Sequence, residues 1–90
     1  MSYLSNEELQ AKFQAADSEV TVGAQYYHYK KPNFDPYTVH GIVFIEQTQE
    51  SAVLYSPTGG GGVQWVRTTK NFLEEVNVDG TKVKRFKKAE

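Results

Sequence analysis

The hydrophobic period of this chain changes once, and that change limits what it can fold into. Up to Ser18 the apolar residues recur at helical spacing; from Glu19 onward they alternate in short runs closed by Gly, Pro, Asn or Asp. Alternation places successive side chains on opposite faces of a strand, so the chain reads as one helix followed by β-structure. The sequence therefore divides into a capped helix over residues 1–18 and a β-domain over 19–90. Ninety residues leave room for one core, and six Tyr, five Phe and one Trp fill it with bulky side chains suited to a pleated surface.

The helix is specified at its start. Ser5 is an N-cap, Glu8 completes a capping box, and Leu4 and Leu9 stand at the positions of a hydrophobic staple. Glu8 and Lys12 are spaced for an i,i+4 ion pair. The apolar face is thin, consisting of Leu9, Phe13 and Ala16, so the helix has to dock on the sheet or on a second subunit.

In the β-region, Tyr26 and His28 alternate with Tyr27 and Tyr29, and a loop with two prolines follows over 31–36. The longest strand candidate covers 37–46, with Tyr37, Val39, Gly41, Val43 and Ile45 on one face and Thr38, His40, Ile42, Phe44 and Glu46 on the other. Apolar residues on both faces predict a strongly curved strand, with the bend at Gly41. Short strands are expected over 52–56 and 63–67, separated by Gly59 to Gly62, with a turn or a single helical turn over 68–73. Asp79-Gly80 predicts a two-residue hairpin turn whose register pairs Val76 with Val83 and Glu75 with Lys84. Five or six short strands, one of them tightly bent, predict a mainly β fold: a small, strongly bent SH3-like β-barrel with a short N-terminal α-helix. An OB-like or open-sheet arrangement is the alternative.

These segments resemble the bacterial DUF1653 family of unknown function. The resemblance rests on Tyr26-Tyr27-His28-Tyr29-Lys30, Tyr37 to Gly41, Thr48-Gln49-Glu50, Val53-Leu54-Tyr55, Trp65-Val66-Arg67 with Phe72, and Val78-Asp79-Gly80 with Arg85-Phe86. It covers 22–86 in order and spacing. The departures are Ile45, Glu46 and Gln47 where the family has His-Ser-Glu, Thr68 and Lys84 in place of prolines, two enlarged loops, and the extra N-terminal helix. The resemblance implies a fold and an autonomous domain; the family has no established activity to transfer.

Catalytic machinery is not legible. There is no cysteine, which excludes disulfides and thiolate metal sites, and His28 and His40 are the only histidines. No serine sits in a strand–turn–helix elbow. The glycine run lacks the Lys-Ser/Thr ending and following helix of a phosphate-binding loop, and reads as a mobile hairpin loop that can close over a ligand. A hydrolase pairing His28 with a carboxylate such as Glu50 is the weakest reading. The expectation is a protein that is not an enzyme, with no cofactor, no catalytic residue and no metal.

An aromatic and basic group stands out instead: Tyr26, His28, Lys30, Tyr55, Trp65 and Arg67. Aromatic faces beside a cation suit stacking on a base and pairing with a phosphate. The competing reading makes Trp65 and Tyr55 core, with Arg67 reaching the rim. The expected function is a binding module for a nucleotide-like or other anionic small molecule; the alternative is a protein-interaction or homo-oligomerisation domain. Net charge is −1, against general nucleic-acid binding, although half of the ten basic residues (Lys82, Lys84, Arg85, Lys87 and Lys88) fall in the last nine positions. No apolar run reaches the length of a membrane span and no signal segment is evident, so the expected location is the cytoplasm of a bacterial or phage-infected cell.

Overall fold

A computed structural model describes residues 3–90, so the first two residues of the 1–18 segment lie outside the described residues. The elements follow in the order α1 (Asn6–Glu19), β1 (Gln25–His28), β2 (Tyr37–Ile45), β3 (Glu50–Pro57) and β4 (Trp65–Thr68). The chain then continues through α2 (Thr69–Leu73), β5 (Glu75–Val78), β6 (Thr81–Lys84) and β7 (Phe86–Lys88).

The start of α1 is the capping box written in the sequence. Ser5 Oγ accepts the Glu8 N–H and the Glu8 carboxylate accepts the Ser5 N–H, both at 3.1 Å. With Glu8 engaged at the cap, the expected Glu8–Lys12 pair does not form. Lys12 instead donates to the Gln49 carbonyl at 3.4 Å, and the Leu4 N–H donates to Gln49 Oε1 at 2.5 Å. Both bonds fix α1 along the β2–β3 hairpin, and buried Ala16 and Val20 complete the seam.

Five antiparallel strands form one sheet in the order β4-β3-β2-β1-β7, and β5 and β6 form a separate two-stranded sheet. This corrects the expected SH3-like barrel: the sheet is open. Closure requires a hydrogen-bonded ladder between the edge strands β4 and β7, and none joins them. The hairpin that would supply the missing strands pairs only with itself. The chain leaves that hairpin at Arg85, and β7 then pairs with β1, with Phe86 opposite His28.

The hairpin has its expected register, Glu75 opposite Lys84 and Val76 opposite Val83, and its turn places Asp79 at φ 51° and Gly80 at φ 83°. Strand β2 differs from the expected one. Its register shifts between Val39 and Gly41, which leaves His40 as an extra, bulged residue. The bulge reverses the alternation, so Ile42 (opposite Val53) shares the face of Val39 (opposite Tyr55). A strand with apolar residues on both nominal faces is thus reconciled by inserting one residue, and both halves present their β-branched side chains to one core.

That core comprises Val20, Tyr26, Val39, Val53, Tyr55, Phe72 and Phe86, with Ala24, Tyr37, Ile42 and Leu73 packed against it. Helix α2 begins at the Thr68 cap, whose hydroxyl accepts the Asn71 N–H at 3.2 Å, and it lays Phe72 flat on Phe86. Among the described residues no helix is long and apolar enough to cross a membrane.

Candidate functional site: an aromatic cavity walled by cations

Cross-strand partners share a face of a sheet. The pairs Phe86–His28, Val39–Tyr55, Tyr55–Trp65 and Val53–Arg67 therefore set one row of aromatic and basic side chains across the sheet. Part of this row is core. The remainder lines a cavity of about 410 Å³ bounded by His28, Lys30, Lys31, Tyr37, Tyr55, Trp65, Arg67 and Phe86. That volume lies within the range of small-molecule sites, ~300–1,000 Å³.

Five of the six residues expected from the sequence meet there: His28, Lys30, Tyr55, Trp65 and Arg67. Tyr26 does not line it. It is buried in the core edge-on to Phe72, and its hydroxyl accepts the Thr21 N–H at 3.0 Å, so its polar end is committed to the link between α1 and β1. The reading of Trp65 as core is also corrected. Trp65 is 53% exposed, on the edge strand β4.

The cavity floor is a network of edge-to-face rings. Tyr55 meets Tyr37 at 5.5 Å and Phe86 at 5.4 Å, and Phe86 in turn meets His28 at 5.1 Å. Tyr55 and Phe86 are nearly fully buried, so the floor is also the roof of the core and is rigid.

Arg67 is held above this floor. Its guanidinium carbon lies 5.5 Å from the Phe86 ring centroid; Nε donates to the Tyr55 hydroxyl at 3.3 Å and Nη1 to Asn71 Oδ1 at 2.5 Å. Asn71 was not singled out from the sequence. Its signal is positional: it follows Arg67 by four residues across a strand end and a helical turn. Tyr37, Lys31 and Phe86 were likewise not assigned to the site, although all three belong to segments noted for other reasons.

His28 has a defined tautomer. Its Nδ1 accepts the Lys30 N–H at 3.2 Å, and a backbone amide can only donate, so the neutral ring carries its proton on Nε2. Burial lowers its pKa below the ordinary histidine value, and the positive charges of Arg67, Lys30, Arg85 and Lys31 lower it further. The imidazole is therefore neutral near pH 7.

Among the described residues no carboxylate lines the cavity. Lys31 is paired with Asp35 at 3.7 Å in an exposed contact, and Lys30 lies over the Tyr29 ring at 5.9 Å. Glu50, the acid considered as a partner for His28, lines a different groove, between α1 and α2. Among the described residues no group of three or more His, Asp or Glu side chains is placed to hold a metal ion. The glycines at 60–62 all have positive φ, between 74° and 105°, but they do not line the cavity.

A family profile described as "Protein of unknown function (DUF1653)" matches residues 24–88. The chain belongs to the DUF1653 family. The match runs from the residue before β1 to the end of β7, so every cavity residue lies within the DUF1653 region, while α1 is an N-terminal addition to it. No curated protein and no solved structure matches the chain.

Proposed function

We propose that this DUF1653 domain is a non-catalytic binding module whose aromatic cavity takes a small anionic ligand with a planar part. One observation carries the reading: the charged side chains around the cavity are all cationic, and its floor and rim are aromatic. A carboxylate-free wall attracts anions and offers no acid–base pair for turnover. Flat aromatic surfaces beside those cations favour a ligand that combines charge with a ring.

Native mass spectrometry of the freshly purified protein tests the reading. An extra mass that is lost on denaturation, and absent from Trp65→Ala, supports it. A ligand that stays bound in that variant removes the cavity from consideration.

The second reading is self-assembly or docking on another protein. It is favoured by the exposed apolar residues Val63, Trp65 and Val66 along the β4 edge, where no lysine or proline guards the strand. The subunit number read in the same spectrum separates the two, because a bare dimer supports assembly and a ligand-bearing monomer does not.

A further inference from the structure

Resting on that reading of the cavity, we infer that its ligand is a nucleoside phosphomonoester, with the phosphate gripped by the remaining N–H donors of Arg67 and the base laid against Trp65. The first ground is donor accounting. A guanidinium has five N–H donors. Arg67 uses one on Tyr55 and one on Asn71, and among the described residues no other acceptor takes the rest. One N–H on Nη1 and two on Nη2 remain, so both terminal nitrogens keep a donor for the oxygens of a phosphate or carboxylate. The two bonds already made, with the Phe86 ring beneath, hold the plane of the group before any ligand arrives. That order lowers the entropy cost of binding.

Arg85 shows the contrast. Its Nε donates to the Asn71 carbonyl at 3.1 Å and its Nη2 meets the Glu74 carboxylate at 2.6 Å, so its charge is neutralised within the fold. Arg85 is paired with a carboxylate, whereas Arg67 is held by two neutral acceptors and keeps three N–H donors and its charge.

Charge selects among oxyanions. Arg67 and Lys30 face the cavity without an acidic partner, and Lys31 is compensated only by an exposed contact with Asp35. Two to three positive charges around one small cavity match the dianion of a phosphomonoester better than a single carboxylate or a phosphodiester. His28, which also lines the cavity, carries no charge and has its proton on Nε2. The planar part follows from Trp65, a half-exposed ring at the cavity rim on which any base can stack. A free nucleotide and the 5′-phosphorylated end of a strand share this chemistry.

Trp65 is the only tryptophan, so its fluorescence reports the cavity directly. The titrants are AMP, GMP, CMP and UMP, each compared with its own nucleoside, then tetra-deoxyadenylate with and without a 5′-phosphate. An aromatic monoanion, 8-anilinonaphthalene-1-sulfonate, followed by its own fluorescence, is the control. At least one monophosphate is expected to bind about tenfold or more tighter than its nucleoside, and Arg67→Lys, which keeps the charge and loses the planar set of donors, should weaken it about tenfold while still unfolding cooperatively in urea. A phosphorylated tetranucleotide that binds as tightly as the mononucleotide assigns the strand end as the source; one that fails assigns the free nucleotide. If no monophosphate exceeds its nucleoside, or if Arg67→Lys leaves the affinity unchanged, the inference is overturned. Should the sulfonate nonetheless bind and be lost in Trp65→Ala, the cavity reading stands without it. Should the sulfonate also fail to bind, both fall.

Discussion

Phe72 and Phe86 lie parallel at 5° with ring centroids 4.3 Å apart, and this contact joins α2 to the strand that leaves the last hairpin. Phe86 is the residue on which the fold and the site depend together. One face is stacked on Phe72, its surroundings include the edge-to-face partners Tyr55, Tyr37 and His28, and the Arg67 guanidinium sits above it. Both phenylalanines are almost wholly buried, so the stack excludes water from beneath the cavity.

Replacing Phe86 with Ala should therefore be the most costly single change near the site. Truncating a buried phenylalanine costs ~3–5 kcal/mol, a large part of the stability of a domain this small. Phe86→Leu keeps most of the volume and should cost less, but it removes the ring under Arg67. Urea unfolding of both variants checks the order. Equal midpoints for Ala and Leu would show that the space around Phe86 collapses and that the stack contributes little.

The histidine gives a pH dependence with a defined sign. His28 has a folded-state pKa below its unfolded value, so between those two values the unfolded chain binds more protons than the folded one. Stability attributable to this group is complete above the unfolded value and is lost as pH falls towards the folded one. The decline should begin near pH 6.5, the ordinary histidine value. The check is the difference in urea midpoint between pH 7.5 and 5.5, compared for the wild type and His28→Gln. The wild type should lose more on acidification, and an identical loss in both would place the titration elsewhere.

The helix and the last hairpin were legible because local chemistry specifies them. Ser5 with Glu8, and Asp79 with Gly80, each settle the backbone within a few residues. What was not legible depends on contacts distant in sequence. The bulge at His40 has no composition of its own; it arises because Ile42 and Val39 both have to meet β3 on its core face. The open sheet depends on β7 choosing β1 as its partner, and a barrel and an open sheet use the same short strands. The same limit governs the site. His28, Lys30, Tyr55 and Arg67 were recognisable by type, whereas Asn71 matters only because α2 turns it back towards Arg67. Tyr26 alternated correctly with its neighbours, yet its hydroxyl is engaged by the Thr21 N–H in the link between α1 and β1, away from the cavity.

The capping box makes a local prediction for α1. Ser5→Ala removes the acceptor for the Glu8 N–H and should cost about 1 kcal/mol. Helix α1 lies outside the DUF1653 match and docks through few contacts, so the loss should fall mainly on its own opening. Amide exchange measured by mass spectrometry should quicken over residues 6–19 and stay unchanged over β2 and β3. Equal acceleration throughout would mean that the helix and the sheet open as one unit.

The Asp79-Gly80 turn separates backbone conformation from strand pairing. Both residues have positive φ, at 51° and 83°, the conformation a two-residue turn needs to match the twist of its strands. A side chain at Gly80 meets no neighbouring atom within 4 Å, so Gly80→Ala adds backbone strain without a clash. Holding an alanine in the left-handed region costs roughly 1–2 kcal/mol, and the urea midpoint of Gly80→Ala should fall accordingly. Asp79→Asn should be close to neutral, because asparagine tolerates the same region. Since the Val76–Val83 and Glu75–Lys84 pairs are set by side chains as well as by the turn, the register should survive in Gly80→Ala. Cross-strand nuclear Overhauser contacts between Val76 and Val83 test this. Their loss would show that the turn alone fixes the register, and the hairpin would then be expected to slip in any variant that relaxes it.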